Sequence, residues 1–337
     1  NGVTNLMEGF LMYYRAEQIL SAYPKEFTGN MKGRGSILCT DREGIYLLKE
    51  YKGSVRRLEL LEETLCYLKD CGFLAEEVVR TSEGQLSYTD VDGVSYFLRK
   101  TVQGRECDTR NTEEILQVTR HMATLHGLLA QFQPACEGSQ TDRIFAQDQG
   151  IAARHTRELK KVRNYVRAKK QKNEFESEFL RGYEHYKEQA DQVLELEQKQ
   201  CVPEGALQLC HGDFNQHNLL FTKEGLAVIG FEKLRYDLCV SDLANFMRKI
   251  LEKHNWSSGL GMDMVMAYNA VRKLEPWELC QIYLKLLYPE KFWKIVNHYY
   301  NSRKTWISLR DIEKLNRLSE QEMKREEFLS MLFYLVK

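Results

Sequence analysis

The eight residues His211-Gly212-Asp213-Phe214-Asn215-Gln216-His217-Asn218 constrain this chain more than any other stretch. An aspartate stands five residues before an asparagine, and two short apolar runs follow at once, Leu219-Leu220-Phe221 and Leu226-Ala227-Val228-Ile229. A loop that feeds straight into a strand pair holds its polar side chains at a fixed spacing. Phosphoryl transfer asks for such a spacing: a carboxylate to accept a hydroxyl proton and an amide oxygen to hold a metal. Asp213 is the candidate base and Asn218 the candidate metal ligand, while His211 and Gly212 shape the loop. A second metal-binding aspartate is expected in the hairpin that follows, within an Asp-Phe-Gly or Asp-Phe-Glu type sequence. The chain reads Ile229-Gly230-Phe231-Glu232 there, so Gly230 occupies the ligand position without a side-chain oxygen. Glu232 is a weaker metal candidate. If 228–232 ran as a strand it would share a face with position 230, ~6.6 Å further along.

Upstream, Lys49 lies late in the strand-like run Ile45 to Tyr51, ahead of an amphipathic helix from Val55 to Asp70. A lysine in that place clamps the α and β phosphates of a nucleotide and pairs with a glutamate on the helix. Glu59, Glu62 and Glu63 are available; Glu62, one turn from Leu58 and Leu65, flanks the buried face most closely. On its own a strand lysine reads as a solvated edge residue, and it is the downstream octet that draws it to the nucleotide. Arg99 to Val102 reads as a hinge, where backbone groups near Lys100 and Val102 would meet an adenine edge. The run from Gly29 to Ser36 sits where a phosphate-covering turn belongs. It does not match G-x-G-x-x-G and reads equally as an ordinary hairpin turn.

These pieces fall into an order. Residues 1–102 give a short helix (Leu6 to Ala22), a hairpin, the helix Val55 to Asp70, and strands at Gln85 to Asp90 and Gly93 to Arg99. Residues 103–337 read as helical, with Glu113 to Gln133, two long helices between Arg154 and Gln200, and aromatic-rich helices whose rings form core. The fold class is therefore α+β: a bilobal protein-kinase-like fold with a small antiparallel-sheet N-lobe, one helix on it, and a large, mainly helical C-lobe. A length of 337 residues is ample for both.

Composition excludes partners more than it names them. Lys+Arg and Asp+Glu both total 48, so net charge does not call for a polyanion. One segment, Arg154 to Lys172, is strongly basic, and reads either as a solvated helix face or as a docking surface for an anionic partner. No aromatic residues interleave with its charges in a base-stacking pattern, so nucleic acid is not expected. No apolar run is long enough to span a bilayer, so no membrane is expected either. Nine cysteines without a C-x-x-C pair read as reduced thiols of a cytoplasmic protein. The start, Asn1-Gly2-Val3-Thr4, shows no signal-peptide pattern.

The octet, Lys49, and the segment Phe231-Glu232-Lys233-Leu234-Arg235-Tyr236-Asp237-Leu238 with Asp242-Leu243-Ala244 resemble aminoglycoside-phosphotransferase-like proteins. More narrowly, Gly104-Arg105-Glu106-Cys107-Asp108, Tyr288 to Ile295, Asn297-His298-Tyr299-Tyr300-Asn301 and the final Glu-rich helix are similar to CotS-type spore coat proteins. The resemblance covers almost the whole chain. It implies an endospore-forming source, a cytoplasmic origin in the mother cell, assembly into the spore coat, and other coat proteins as partners. It also implies ATP or GTP with Mg²⁺ as cofactor and a small hydroxylated molecule as substrate, without naming one. The departure is Gly230, where the family has its metal-binding aspartate. Loss of that charge costs several kcal/mol, or roughly 10³-fold in rate. Two expectations follow: a coat protein with an impaired kinase fold, or an active phosphotransferase with a rearranged metal site. A protein kinase is disfavoured, because Asp242-Leu243-Ala244 opens a helix within a dozen residues of Gly230 and leaves no room for a peptide-presenting segment.

Overall fold

A computed structural model describes residues 16–33, 35–135, 150–200, 202–301 and 309–336. The expected helix from Leu6 to Ala22 lies mostly outside the described residues; 16–20 are helical. In chain order the strands are β1 (Gly29–Lys32), β2 (Ile37–Thr40), β3 (Ile45–Tyr51), β4 (Glu77–Val79), β5 (Tyr88–Thr89), β6 (Ser95–Thr101), β7 (Arg105–Glu106), β8 (Gln208–Cys210), β9 (Leu219–Phe221), β10 (Leu226–Val228) and β11 (Arg235–Asp237). The helices are α1 (Val55–Asp70), α2 (Thr112–Leu129), α3 (Ile151–Ala168), α4 (Glu174–Lys199), α5 (Val240–Leu251), α6 (Ser258–Val271), α7 (Pro276–Leu287), α8 (Glu290–Asn301) and α9 (Leu309–Val336). Among the described residues these form two compact units: 16–108, 125–135 and 211–234 make the first, and the remainder makes the second.

The first unit is built on an antiparallel sheet in the order β1-β2-β3-β6-β4, with β5 also paired to β6. Asp41 closes the β2–β3 turn, its Oδ1 accepting from the backbone N–H groups of Glu43 and Gly44 at 2.7 and 2.8 Å. Alternation then sends Cys39, Tyr46, Leu48 and Leu98 into a core with Ile19 and Tyr23. Helix α1 buries Leu58, Leu61, Leu65 and Leu68, as their spacing dictates. It stops where Gly72 takes φ +74°, a left-handed turn that glycine adopts without steric cost. The expected strand Gln85 to Asp90 shrinks to two residues because the chain turns early: Asp90 Oδ1 accepts from Asp92 and Val94 N–H, both at 3.0 Å. That turn also moves β6 to Ser95–Thr101. A second, three-stranded sheet, β10-β9-β7, follows the octet. The run from Gly29 to Lys32 is a strand paired with β2, so the expected glycine turn is the tip of a hairpin.

The second unit is helical apart from the β8–β11 pair. Aromatic rings fill its core as expected, with Phe175 stacked on Tyr299 at 3.7 Å and Phe179 on Phe292 at 5.5 Å. Helix α4 begins in a capping box: Asn173 Oδ1 accepts from Glu176 N–H at 2.9 Å, and Glu176 Oε2 accepts from Asn173 N–H at 3.0 Å. Helix α5 opens almost directly after β11, the short connection that argues against a peptide-presenting segment. No helix among the described residues is long and apolar enough to cross a membrane. The described cysteines are free thiols; Cys39, Cys107, Cys210, Cys239 and Cys280 are buried, Cys66 and Cys71 exposed.

Candidate functional site

The octet folds as a loop wound on its own polar groups. His211, fully buried, donates from Nε2 to the Ile229 carbonyl at 2.9 Å and accepts at Nδ1 from Asp213 N–H at 3.1 Å. Both ring nitrogens are thereby committed to backbone, and the ring packs on Phe214 and Phe231 at 5.7 and 4.5 Å. The histidine sets loop shape. The Asp213 carbonyl accepts from the side-chain amides of Asn215 (2.8 Å) and Asn218 (3.0 Å), which brings the aspartate and asparagine of the motif together. The Asp213 carboxylate accepts from Lys233 Nζ at 2.9 Å.

Lys49 lies in the same unit, and its partner differs from the expected one. Its ammonium donates to Glu232 Oε1 at 2.8 Å. Glu62 instead takes the guanidinium of Arg80, at 2.7 Å from Nε and with a second bond from Nη2. A planar fork holds a carboxylate through two donors at once, which a single ammonium does not match. Glu59 sits 3.9 Å from Arg56, and Glu63 accepts from Ala135 N–H. The partner of Lys49 is therefore on the turn after Gly230 and not on α1. Lys100 lies within β6 between Tyr46 of β3 and Glu77 of β4, so its main chain belongs to the sheet and not to an open hinge. Val102 is the first residue beyond β6 and is half-buried.

Glu232 does more than hold Lys49. Residues 231–233 form a short 3-10 turn after β10 ends at Val228, so positions 230 and 232 do not alternate along a strand as the extended reading required. The turn aims Glu232 at two cations. Arg99 Nη2 donates to the same Oε1 at 2.6 Å, and Arg99 Nη1 donates to Glu76 Oε2 at 2.6 Å. The β3–β6 register sets Lys49 opposite Phe97, so Lys49 and Arg99 share one face of the sheet. Glu76 Oε1 in turn accepts from the N–H groups of Gly230 (3.0 Å) and Phe231 (2.9 Å). The Glu76 and Arg99 side chains are 0% and 3% exposed. This Glu76–Arg99–Glu232–Lys49 chain escaped the sequence reading. Its legible signal was an arginine among residues that β6 buries, since a buried charge requires a partner.

At Gly230 the backbone is left-handed, φ +84° and ψ +36°. A Cβ built there would lie 2.6–2.7 Å from the Asn218 side chain. The amide of the motif asparagine thus fills the space where an aspartate side chain would begin.

The family described as "Spore coat putative kinase YutH" matches residues 16–332. This chain belongs to the YutH family. Spore coat protein S of Bacillus subtilis is 23% identical over 94% of the chain and 93% of its own length. Among solved structures, an aminoglycoside phosphotransferase from Alicyclobacillus acidocaldarius superposes with TM-score 0.76 at 21% identity, covering 95% of this chain and 96% of that one. The amicoumacin kinase hAmiN, captured with AMP-PNP, Ca²⁺ and its substrate, gives 0.64 at 14% identity over 94% and 93%. The fold expected from the sequence, α+β with a small antiparallel sheet and a mainly helical remainder, is the fold of these phosphotransferases.

This YutH-family chain offers a divalent cation fewer side-chain ligands than its motif leads one to expect. Position 230 offers no oxygen, and the Asn218 amide occupies its space. Glu232 Oε1 already carries two cations, and Asp213 Oδ2 a third. Burial would push the Glu232 carboxyl up, but Arg99 and then Lys49 outweigh it and hold it below the usual glutamate range. What the arrangement supplies is three cations, Lys49, Arg99 and Lys233, each paired with a carboxylate, around a turn whose backbone is pinned by the buried Glu76.

Proposed function

We propose that this chain is a coat-associated protein with a phosphotransferase fold that binds the phosphates of ATP or GTP at Lys49, beside the octet, and transfers them poorly or not at all. It would work by binding, assembled with other coat proteins after synthesis in the mother-cell cytoplasm. Kinship with a named spore coat protein along nearly the whole chain supports the location. The observation that carries the chemistry is Gly230, whose position has no carboxylate and whose space is taken by Asn218. Without that carboxylate, Mg²⁺ bridging of the phosphates loses its main protein ligand.

A second reading is an active phosphotransferase for the hydroxyl of a small molecule, with Asp213 as base. The bond from the Asn218 amide to the Asp213 main-chain carbonyl, which holds the two motif residues together, favours it. Thermal unfolding with ATP and with GTP tests nucleotide binding, which both readings need. Ligand at 100 times its Kd stabilises by about 2.7 kcal/mol, an easily read rise in melting temperature. No shift with either nucleotide, with or without Mg²⁺ or Mn²⁺, removes the nucleotide from both readings.

A further inference from the structure

Three residues after Gly230 stands Lys233, with its ammonium 2.9 Å from Asp213 Oδ2. The turn that carries it is pinned at both ends. At the start, Gly230 and Phe231 donate to the fully buried Glu76. At the end, Arg57 Nη2 donates to the Leu234 carbonyl at 3.0 Å, and Leu234 N–H closes on Phe231 at 2.9 Å. The lysine therefore projects from rigid backbone, yet its own head group is lightly held. Its side chain is 63% exposed and that of Asp213 31%, a pair that solvent screens and that a phosphate oxyanion can displace. Lys49 is held more firmly, by a Glu232 that the buried Arg99 backs.

Charge makes the case. An aspartate with a divalent cation on it presents one net positive charge to the phosphates. A glycine in the aspartate's place, with a lysine ammonium beside the catalytic carboxylate, presents the same single positive charge. Lys233 thus offsets electrostatically what Gly230 takes away, and without it a triphosphate facing Asp213 would have Lys49 alone to neutralise it.

We propose that Lys233 takes the place of the divalent cation, so that this chain binds nucleoside triphosphates through Lys49 and Lys233 without metal. This rests on the nucleotide-binding reading above. Lys233 is then a specificity-determining residue: it selects the metal-free polyphosphate.

Calorimetric titration of the full chain with ATP, in EDTA and again in Mg²⁺, tests it without any variant. Affinity in EDTA is expected to equal or exceed that in Mg²⁺, because chelated ATP carries less charge for the lysines to meet. Lys233→Ala should weaken binding in EDTA about tenfold or more, the loss of one charge-assisted bond, and Lys233→Arg should keep it. Lys233 is exposed, so an unchanged melting temperature without nucleotide shows that the alanine variant is folded. Binding that requires Mg²⁺, or Lys233→Ala binding as tightly as wild type in EDTA, overturns the inference and leaves the nucleotide site standing. No binding in either condition overturns the nucleotide site, and the inference falls with it.

Discussion

Glu232 carries Lys49 and Arg99 on one carboxylate oxygen, and this single atom joins the sheet to the turn after the octet. Its carboxyl titrates below the usual range, because Arg99 and Lys49 outweigh the effect of burial. An unfolded glutamate has a pKa of about 4.3. Between the two values the unfolded chain binds the extra proton, so stability rises with pH in that window. The contribution is complete above about pH 4.3 and drains away as pH falls through the folded value. Urea unfolding should therefore show Glu232→Gln less stable than wild type at pH 7, with the gap narrowing below about pH 4. Arg99→Met leaves Glu76 buried without its cation and should cost about 3–5 kcal/mol by the same assay. That Asp213, Asn218 and Gly230 come together was legible because the motif spacing is local. The partner of Lys49 was not, since helix periodicity gives the face of α1 but not which distant cation each glutamate meets, and Glu232 lies 183 residues from Lys49.

Elements read well where their signals lie within the element. β3 and α1 begin and end at the expected residues because alternation, a buried leucine row and Gly72 mark them. β4, three residues long, carries too little alternation to show. The Asn173 cap of α4 is such a local signal, and Asn173→Ala should lower stability by about 1 kcal/mol in thermal unfolding. The basic segment is largely exposed. Arg163 and Lys169 pair with Glu184 and Glu176 of α4 at 3.1 and 2.5 Å, while Arg154, Arg157, Lys160 and Lys161 are exposed. Replacing Lys160 and Lys161 together by glutamine should change unfolding free energy by less than about 0.5 kcal/mol.

On the scale of the molecule, membership of the YutH family and a fold shared with aminoglycoside phosphotransferases agree with what the octet announced. The fold was legible because a few motifs at fixed order specify it. The electrostatics of the site were not, because they depend on which side chains distant segments bring together. Lys49 on Glu232, Lys233 on Asp213 and a Gly230 whose space Asn218 fills together support the proposal of binding without efficient transfer. The most direct measurement is phosphoryl release or transfer from saturating ATP, offered small hydroxylated acceptors and Mg²⁺, by wild type beside Asp213→Ala. The two are expected to be indistinguishable while wild type binds the nucleotide. Wild-type turnover in the ordinary enzyme range of ~1–10³ s⁻¹, abolished by Asp213→Ala, would contradict it.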